Sequence, residues 1–406
     1  MARHYTIKEF FRQMPNALLA RLFHGWGLFK NLDFSKMKET KPDELFEAWL
    51  VLSEKERKAL DSKLQEIFEL SCEKGFRAII DEAQWQMQEE ADKFSSFIET
   101  LSASPNHYHR AMITYLDYPE CWKGAARFYH ADTLTHWRKR KQMGHKIAAV
   151  DEASTKQLAD LIRNHFHCTE GRGNHCIVEP LRRGSLDYFF AYPEDYSQQS
   201  VEWMEGQLQP KSHNPAFEIV FIYSQKDGTL DLHIHGSYQA VKPLQEMFAT
   251  AILKLEKLSP ESKDSRVYDL NPLRYRTFGF TYSVGSGIEN IAVKKLRLSS
   301  RINPGERLIL ENDVTQDSMS IYNQLEKIGN AVPLHLYNVT QVELAASVIV
   351  DINKPAKRVT IRLTHPNSCS LKYDELGLKL RQMLVSSGIE PKELFDEVEV
   401  RELVDA

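Results

Sequence analysis

Residues 217–236 read FEIVFIYSQKDGTLDLHIHG, and this stretch decides the fold class. Phe217, Ile219, Phe221 and Tyr223 recur at period two, Asp227 and Gly228 supply a tight turn, and Leu230, Leu232 and Ile234 resume the same period. Apolar residues at every second position line one face of a strand, and Asp-Gly between two such runs closes a hairpin. The stretch therefore predicts two antiparallel strands.

Working outward, residues 241–258 change to helical spacing, with Leu244, Phe248, Ile252 and Leu255 on one side and Pro243 in the first turn. Upstream, CIVEPL and DYFFAYP are two short apolar runs joined by RRGS, a second hairpin turning at Gly184. Downstream, strands are expected at 277–282, 289–298 and 307–310, and a helix near 318–328. Val342, Leu344, Ala346, Val348 and Val350 alternate, Asn353 to Pro355 interrupt them, and Val359, Ile361 and Leu363 return. A last helix is expected over 374–386, with Gly388 placed to cap it in the left-handed region. Hairpins followed by helices, without long βαβ crossovers, predict an α+β fold with mainly antiparallel strands.

The first part of the chain has a different period. Leu18, Leu19, Leu22 and Phe23, then Leu60, Leu64, Ile67 and Phe68, recur at three and four. Ser53 with Glu56 has the form of a capping box, and one long helix is expected over 76–101. Helical character is expected to continue through residue 167. This gives two domains: a helical one over 1–150 that ends in a basic aromatic segment, and an α+β one over 151–406 that closes on an acidic helix rich in Glu and Asp.

At 406 residues, 42% hydrophobic and 27% charged, the composition is that of a globular protein. No apolar run reaches the length of a membrane span, and the five scattered cysteines fit reduced thiols better than a disulfide framework. Both point to a cytoplasmic chain with no membrane partner. The net charge of −4 is unevenly spread: residues 105–150 carry eight Lys or Arg against three acids, whereas 390–406 carry seven acids against two bases.

The basic stretch contains Arg127, His136, Trp137, Arg138, Lys139, Arg140 and Lys141. Clustered cations neutralise phosphates and aromatic rings stack on unpaired bases, so this composition suits nucleic acid, with Arg172, Arg182 and Arg183 as further contacts. The competing reading makes RKRK the solvated end of a helix over a buried Trp137. A second basic run, VKKLRLSSR with Lys294, Lys295, Arg297 and Arg301, either guards a sheet edge or joins the first run in one groove. Asp231, His233 and His235 alternate on one face of the central hairpin, where a metal-dependent or acid/base site would want them and where a solvent-facing surface would also put them. His165, Cys168, His175 and Cys176 resemble a zinc ladder only loosely, because adjacent residues in an extended chain point apart.

No phosphate loop, dinucleotide fingerprint or nucleophile elbow occurs in the sequence. The expectation is a DNA- or RNA-binding or adaptor subunit of a cytoplasmic multi-protein system of prokaryotic type, such as genome maintenance or antiviral defence, with protein partners and no cofactor. The alternatives are a metal-dependent nuclease or other hydrolase using a divalent metal at Asp231, His233 and His235, and a protein-interaction scaffold.

Overall fold

A computed structural model describes residues 4–204, 206–236, 238–258, 266–315, 317–330, 332–350 and 354–391. The expected acidic helix after residue 391 lies outside them. The chain forms an α+β fold of two compact units, one comprising Met1–Thr133 with Leu181–Ser185, the other Leu134–Pro180 with Leu186–Ala406. The division falls at 133/134, not at the expected 150, so the basic segment 137–141 goes with the sheet.

The first unit consists of α1 (Ile7–Gln13), α2 (Asn16–Gly25), α3 (Asp43–Val51), α4 (Glu54–Leu70), α5 (Glu73–Gln86), α6 (Ala91–Ala103), α7 (His107–Asp117) and α8 (Pro119–Ala131). Its core joins Phe10, Phe11, Phe23, Leu64, Ile67, Ile79, Phe97 and Met112 from six of these helices. The Ser53/Glu56 capping box is formed and opens α4. The single helix expected over 76–101 is two, because α5 ends at the C-cap Met87 and α6 starts after the polar run Gln88–Glu90. Between α4 and α5 the chain folds so tightly that a Cβ on Gly75 would lie 2.1 Å from the Leu70 carbonyl oxygen, so only glycine fits there. The turn Leu181–Ser185 belongs to this unit, and its Arg183 donates to Asp132 and Asp81 at 2.7 Å each.

The second unit begins with β1 (Trp137–Arg140), α9 (Glu152–Glu170), β2 (Cys176–Arg183), β3 (Leu186–Pro193), β4 (Gln198–Met204) and β5 (Gln207–His213). It continues through β6 (Ile219–Ser224), β7 (Thr229–Ile234), α10 (Val241–Ala251), β8 (Ile288–Ser300) and β9 (Arg307–Glu311). Then follow α11 (Ser320–Gly329), β10 (Tyr337–Val348), β11 (Lys357–Thr364), β12 (Ser368–Cys369) and α12 (Glu375–Ser386). Ten strands make one sheet in the order β2-β3-β6-β7-β1-β12-β11-β10-β8-β9, and β4 pairs with β5 in a sheet of two. The central hairpin is the β6–β7 pair, closed by residues 225–228 with Gly228 at φ 58°. No strand forms over 277–282, where the backbone is irregular.

The helices cover opposite faces of the two halves of the sheet. Phe189, Phe221, Tyr223, Leu230 and Leu232 pack with Leu158, Ile162 and Phe166 of α9 and with Leu244 and Phe248 of α10. Leu296, Leu310, Val342, Leu344, Ile361 and Leu363 pack instead with Ile321 and Leu325 of α11 and with Leu380 and Leu384 of α12. Register shows that these are different faces. Leu232 pairs with Arg138, whereas Leu363 pairs with Cys369 and Cys369 with Trp137, and neighbours in a strand point to opposite faces.

Candidate nucleic-acid interface

The segment 137–141 is not a helix end: Trp137–Arg140 is a strand, hydrogen-bonded to β7 on one side and β12 on the other. A tryptophan followed by three residues with long aliphatic stems carries no helical period of its own, and pairing on both edges fixes the run as extended. Strand alternation then divides the basic cluster between the two faces.

On one face Trp137 and Lys139 are buried, Lys139 at 9% exposure. The Lys139 ammonium donates to Glu390 Oε1 at 2.6 Å and lies 3.6 Å from Asp231 Oδ2. Tyr373 donates its hydroxyl proton to Asp231, and Arg381 donates to the Leu371 carbonyl at 2.8 Å with its Nη1 3.8 Å from Asp231 Oδ1. Two cations thus face two carboxylates, and the charges balance. Burial pulls the Lys139 pKa down, but Asp231 and Glu390 outweigh it and the net shift is upward. Burial also raises the Tyr373 and Tyr268 phenols well above their ordinary range. Buried and internally paired, these side chains clamp β1 to β7, α12 and the segment that follows α12; a polymer does not reach them.

Asp231, expected on an open face, is therefore 2% exposed and held in this cluster. His233 lies on the same face, its ring nitrogen 2.9 Å from the Thr135 carbonyl oxygen and its ring 5.4 Å from that of Trp137. His235 is exposed beyond the end of β7, so the three residues do not form a triad. His165 and Cys168 are on α9, and Cys176 opens β2 with its thiol pushed up to about 12 by burial. Among the described residues no group of three or more His, Cys, Asp or Glu is placed to hold a metal ion.

The other expected contacts are mostly engaged. Arg172 pairs with Glu170 and Asp195 at 2.7 Å each, Arg183 with Asp132 and Asp81, and Arg182 lies over the Trp85 ring. Arg127 is half-buried on α8 and His136 is exposed with φ 64° just before β1. Arg140 is buried, and Lys141 donates to the Pro391 carbonyl. Arg138 differs from its neighbours, because its guanidinium lies 5.1 Å from the centroid of the Tyr238 ring and it has no carboxylate partner among the described residues.

Arg138 also lies on the face of β8–β12 opposite the one that α11 and α12 cover. Cross-strand register runs from Arg138 to Ser368, Thr364, Gln341, Arg297 and Ile309, one residue from each of six strands. Partners in register share a face, so this is a single row across the sheet, polar except for Ile309 at its end. The two basic runs of the sequence meet here, through Arg138 from the first and Lys295 and Arg297 from the second. The same face carries Arg307 of β9 and Arg358 and Arg362 of β11. Lys295 pairs with Glu311 at 2.8 Å and Arg362 with Glu343 at 2.7 Å. Arg297, Arg307 and Arg358 have no carboxylate partner among the described residues.

At one corner a bulge in β10 between Val339 and Gln341 pushes out Thr340. Its hydroxyl accepts from Arg297 Nε at 3.2 Å and is 2.8 Å from the Ser299 hydroxyl. Burial lowers the Arg297 pKa and the nearby positive charge of Arg307 lowers it further. Two guanidiniums and two hydroxyls gathered without a counter-charge have the chemistry of an oxyanion site. Arg307, Arg358, Thr340 and Tyr238 were missed in the sequence because bulges and register bring them to the face, and no linear pattern marks them.

The β4–β5 hairpin has another character. Val201 pairs with Pro210 and Trp203 with Leu208, so all four share a face, while Glu202 and Lys211 pair at 3.1 Å on the other. Trp203 is 62% exposed, and Val201 and Leu208 are similarly open. Alternation on both sides of Gly206 was a legible signal for this hairpin. No helix among the described residues is long and apolar enough to cross a membrane. No protein-family model matches the sequence, and none of the curated proteins does.

Proposed function

We propose that the chain is a nucleic-acid-binding subunit of a cytoplasmic assembly, and that it meets DNA or RNA through the face of β8–β12 opposite α11 and α12 and not through the segment 137–141 as a block. The observation that carries this reading is the row from Arg138 to Arg297 with Arg307 beside it. These are three arginines without carboxylate partners among the described residues, on a polar face lined by the half-buried Thr364, Gln341, Ser299 and Thr340 and by the buried Ser368. The half-buried Arg297 with the exposed Arg307 beside it gains most from an anion that hydrogen-bonds several donors at once, and phosphate is such an anion.

Binding of labelled single- and double-stranded DNA and RNA, measured across a salt series with and without magnesium, tests this. Salt-sensitive binding without cleavage is expected, and Arg307→Ala should reduce the log–log salt slope by about 0.7 on a single strand for one lost phosphate contact. An unchanged slope moves the interface elsewhere, and magnesium-dependent cleavage replaces the binder with an enzyme.

The β4–β5 hairpin favours a second reading, that of a protein adaptor. An exposed tryptophan among Val201, Leu208 and Pro210 has the make-up of an interface anchor.

A further inference from the structure

We propose that the nucleic acid bound on this face is single-stranded and that Tyr238, with Arg138 lying over its ring, is the platform on which one base stacks. The proposal rests on the nucleic-acid reading above and adds the class of strand. Tyr238 is 61% exposed although it is an aromatic residue in the short turn Tyr238–Ala240 that leads directly into α10. That turn fixes the backbone that carries the ring. Arg138 is equally constrained, since its strand is hydrogen-bonded on both edges. The guanidinium lies 5.1 Å from the ring centroid, a cation–π pair that offers a base one more flat partner.

Only an unpaired base has a free face for such a platform, because in a duplex both faces are taken by stacking within the helix. The row from Arg138 to Arg297 crosses four strand spacings, about 19 Å at ~4.8 Å each. Cations stand at its two ends, and the half-buried Thr364 and Gln341 supply neutral hydrogen-bonding groups between them, with Ser368 buried beside Arg138. A strand lying along the row places one base on Tyr238 and a phosphate in the corner of Arg297, Arg307, Ser299 and Thr340.

The test measures affinity and salt slope for a single-stranded oligonucleotide and its duplex with the wild type, Tyr238→Ala, Tyr238→Phe and Arg307→Ala. The single strand should bind more tightly than the duplex. Tyr238→Ala should weaken single-strand binding roughly five- to hundredfold with an unchanged salt slope, since stacking of one base is lost but no phosphate contact. Tyr238→Phe, which keeps the ring, should bind as the wild type does. Tyr238→Ala binding the single strand as the wild type does, or losing affinity for strand and duplex alike, overturns the stacking role; an Arg307→Ala slope that still falls then leaves the sheet face standing. If no oligonucleotide binds at low salt, the nucleic-acid reading fails and the platform with it.

Discussion

Two rows of residues cross the same strands one position apart, and they have opposite fates. Trp137, Cys369, Leu363, Val342, Leu296 and Leu310 are paired in register and are almost wholly buried. The adjacent row, Arg138, Ser368, Thr364, Gln341, Arg297 and Ile309, faces the other way and is polar except at its end. The first row packs the fold, and the second, half-buried at Arg138, Thr364, Gln341 and Arg297, is the one proposed to meet the ligand. Lys139 shows that charge alone does not assign a residue to either: it stands beside Arg138, yet its ammonium is consumed inside the protein by Glu390 and Asp231.

The hardest way to break this comparison is to remove Lys139. Lys139→Ala leaves Glu390 buried without its cation and Asp231 with Arg381 alone, and loss of one partner of a buried pair costs about 3–5 kcal/mol. Urea unfolding of the full chain should show this as a large drop in midpoint. A drop under about 1 kcal/mol would mean that the cluster is better hydrated than its burial implies.

The outcome also separates what the sequence could convey from what it could not. The β6–β7 hairpin, the α4 capping box and α12 with its cap at Gly388 were legible because each is encoded by residues within a few positions of one another. β1 was not legible, since WRKR becomes a strand only by pairing with residues 231 and 369, far along the chain. Its face assignment was hidden for the same reason. Basic composition pointed to 138–141 as a unit, and strand alternation then gave Arg138 to the open face and Lys139 to the interior. The other members of its buried cluster, Tyr373, Arg381 and Glu390, come from parts of the sequence with no motif of their own.

A smaller effect sharpens the same contrast through pH. Tyr373 has its folded pKa raised above the unfolded value of about 10, chiefly by burial, and Lys139 is raised as well. A raised folded pKa means that the native state holds the proton more tightly. The contribution of these groups is therefore complete below pH ~10 and is lost as pH climbs toward the folded values. Stability should fall steeply in alkali. Tyr373→Phe should make that fall shallower by about 1.4 kcal/mol per pH unit, the value for one proton. Denaturation midpoints measured between pH 9 and 11.5 in both proteins decide this, and identical slopes would place the phenol in contact with solvent.

The smallest expected change is in some ways the most telling. Arg138→Ala removes a half-buried side chain whose only side-chain partner among the described residues is the exposed Tyr238 ring, so its unfolding free energy should shift by no more than about 0.5 kcal/mol. The same substitution should weaken binding to a single strand and lower the salt slope, because it takes away both a phosphate contact and the upper half of the stacking pair. Measured together, unfolding and binding place the residue on one side of the comparison. A stability loss near that of Lys139→Ala would assign Arg138 to the fold. Near-native stability with impaired binding would mean that adjacent residues of one strand serve the interior and the surface separately, and that the polar row is kept for its ligand.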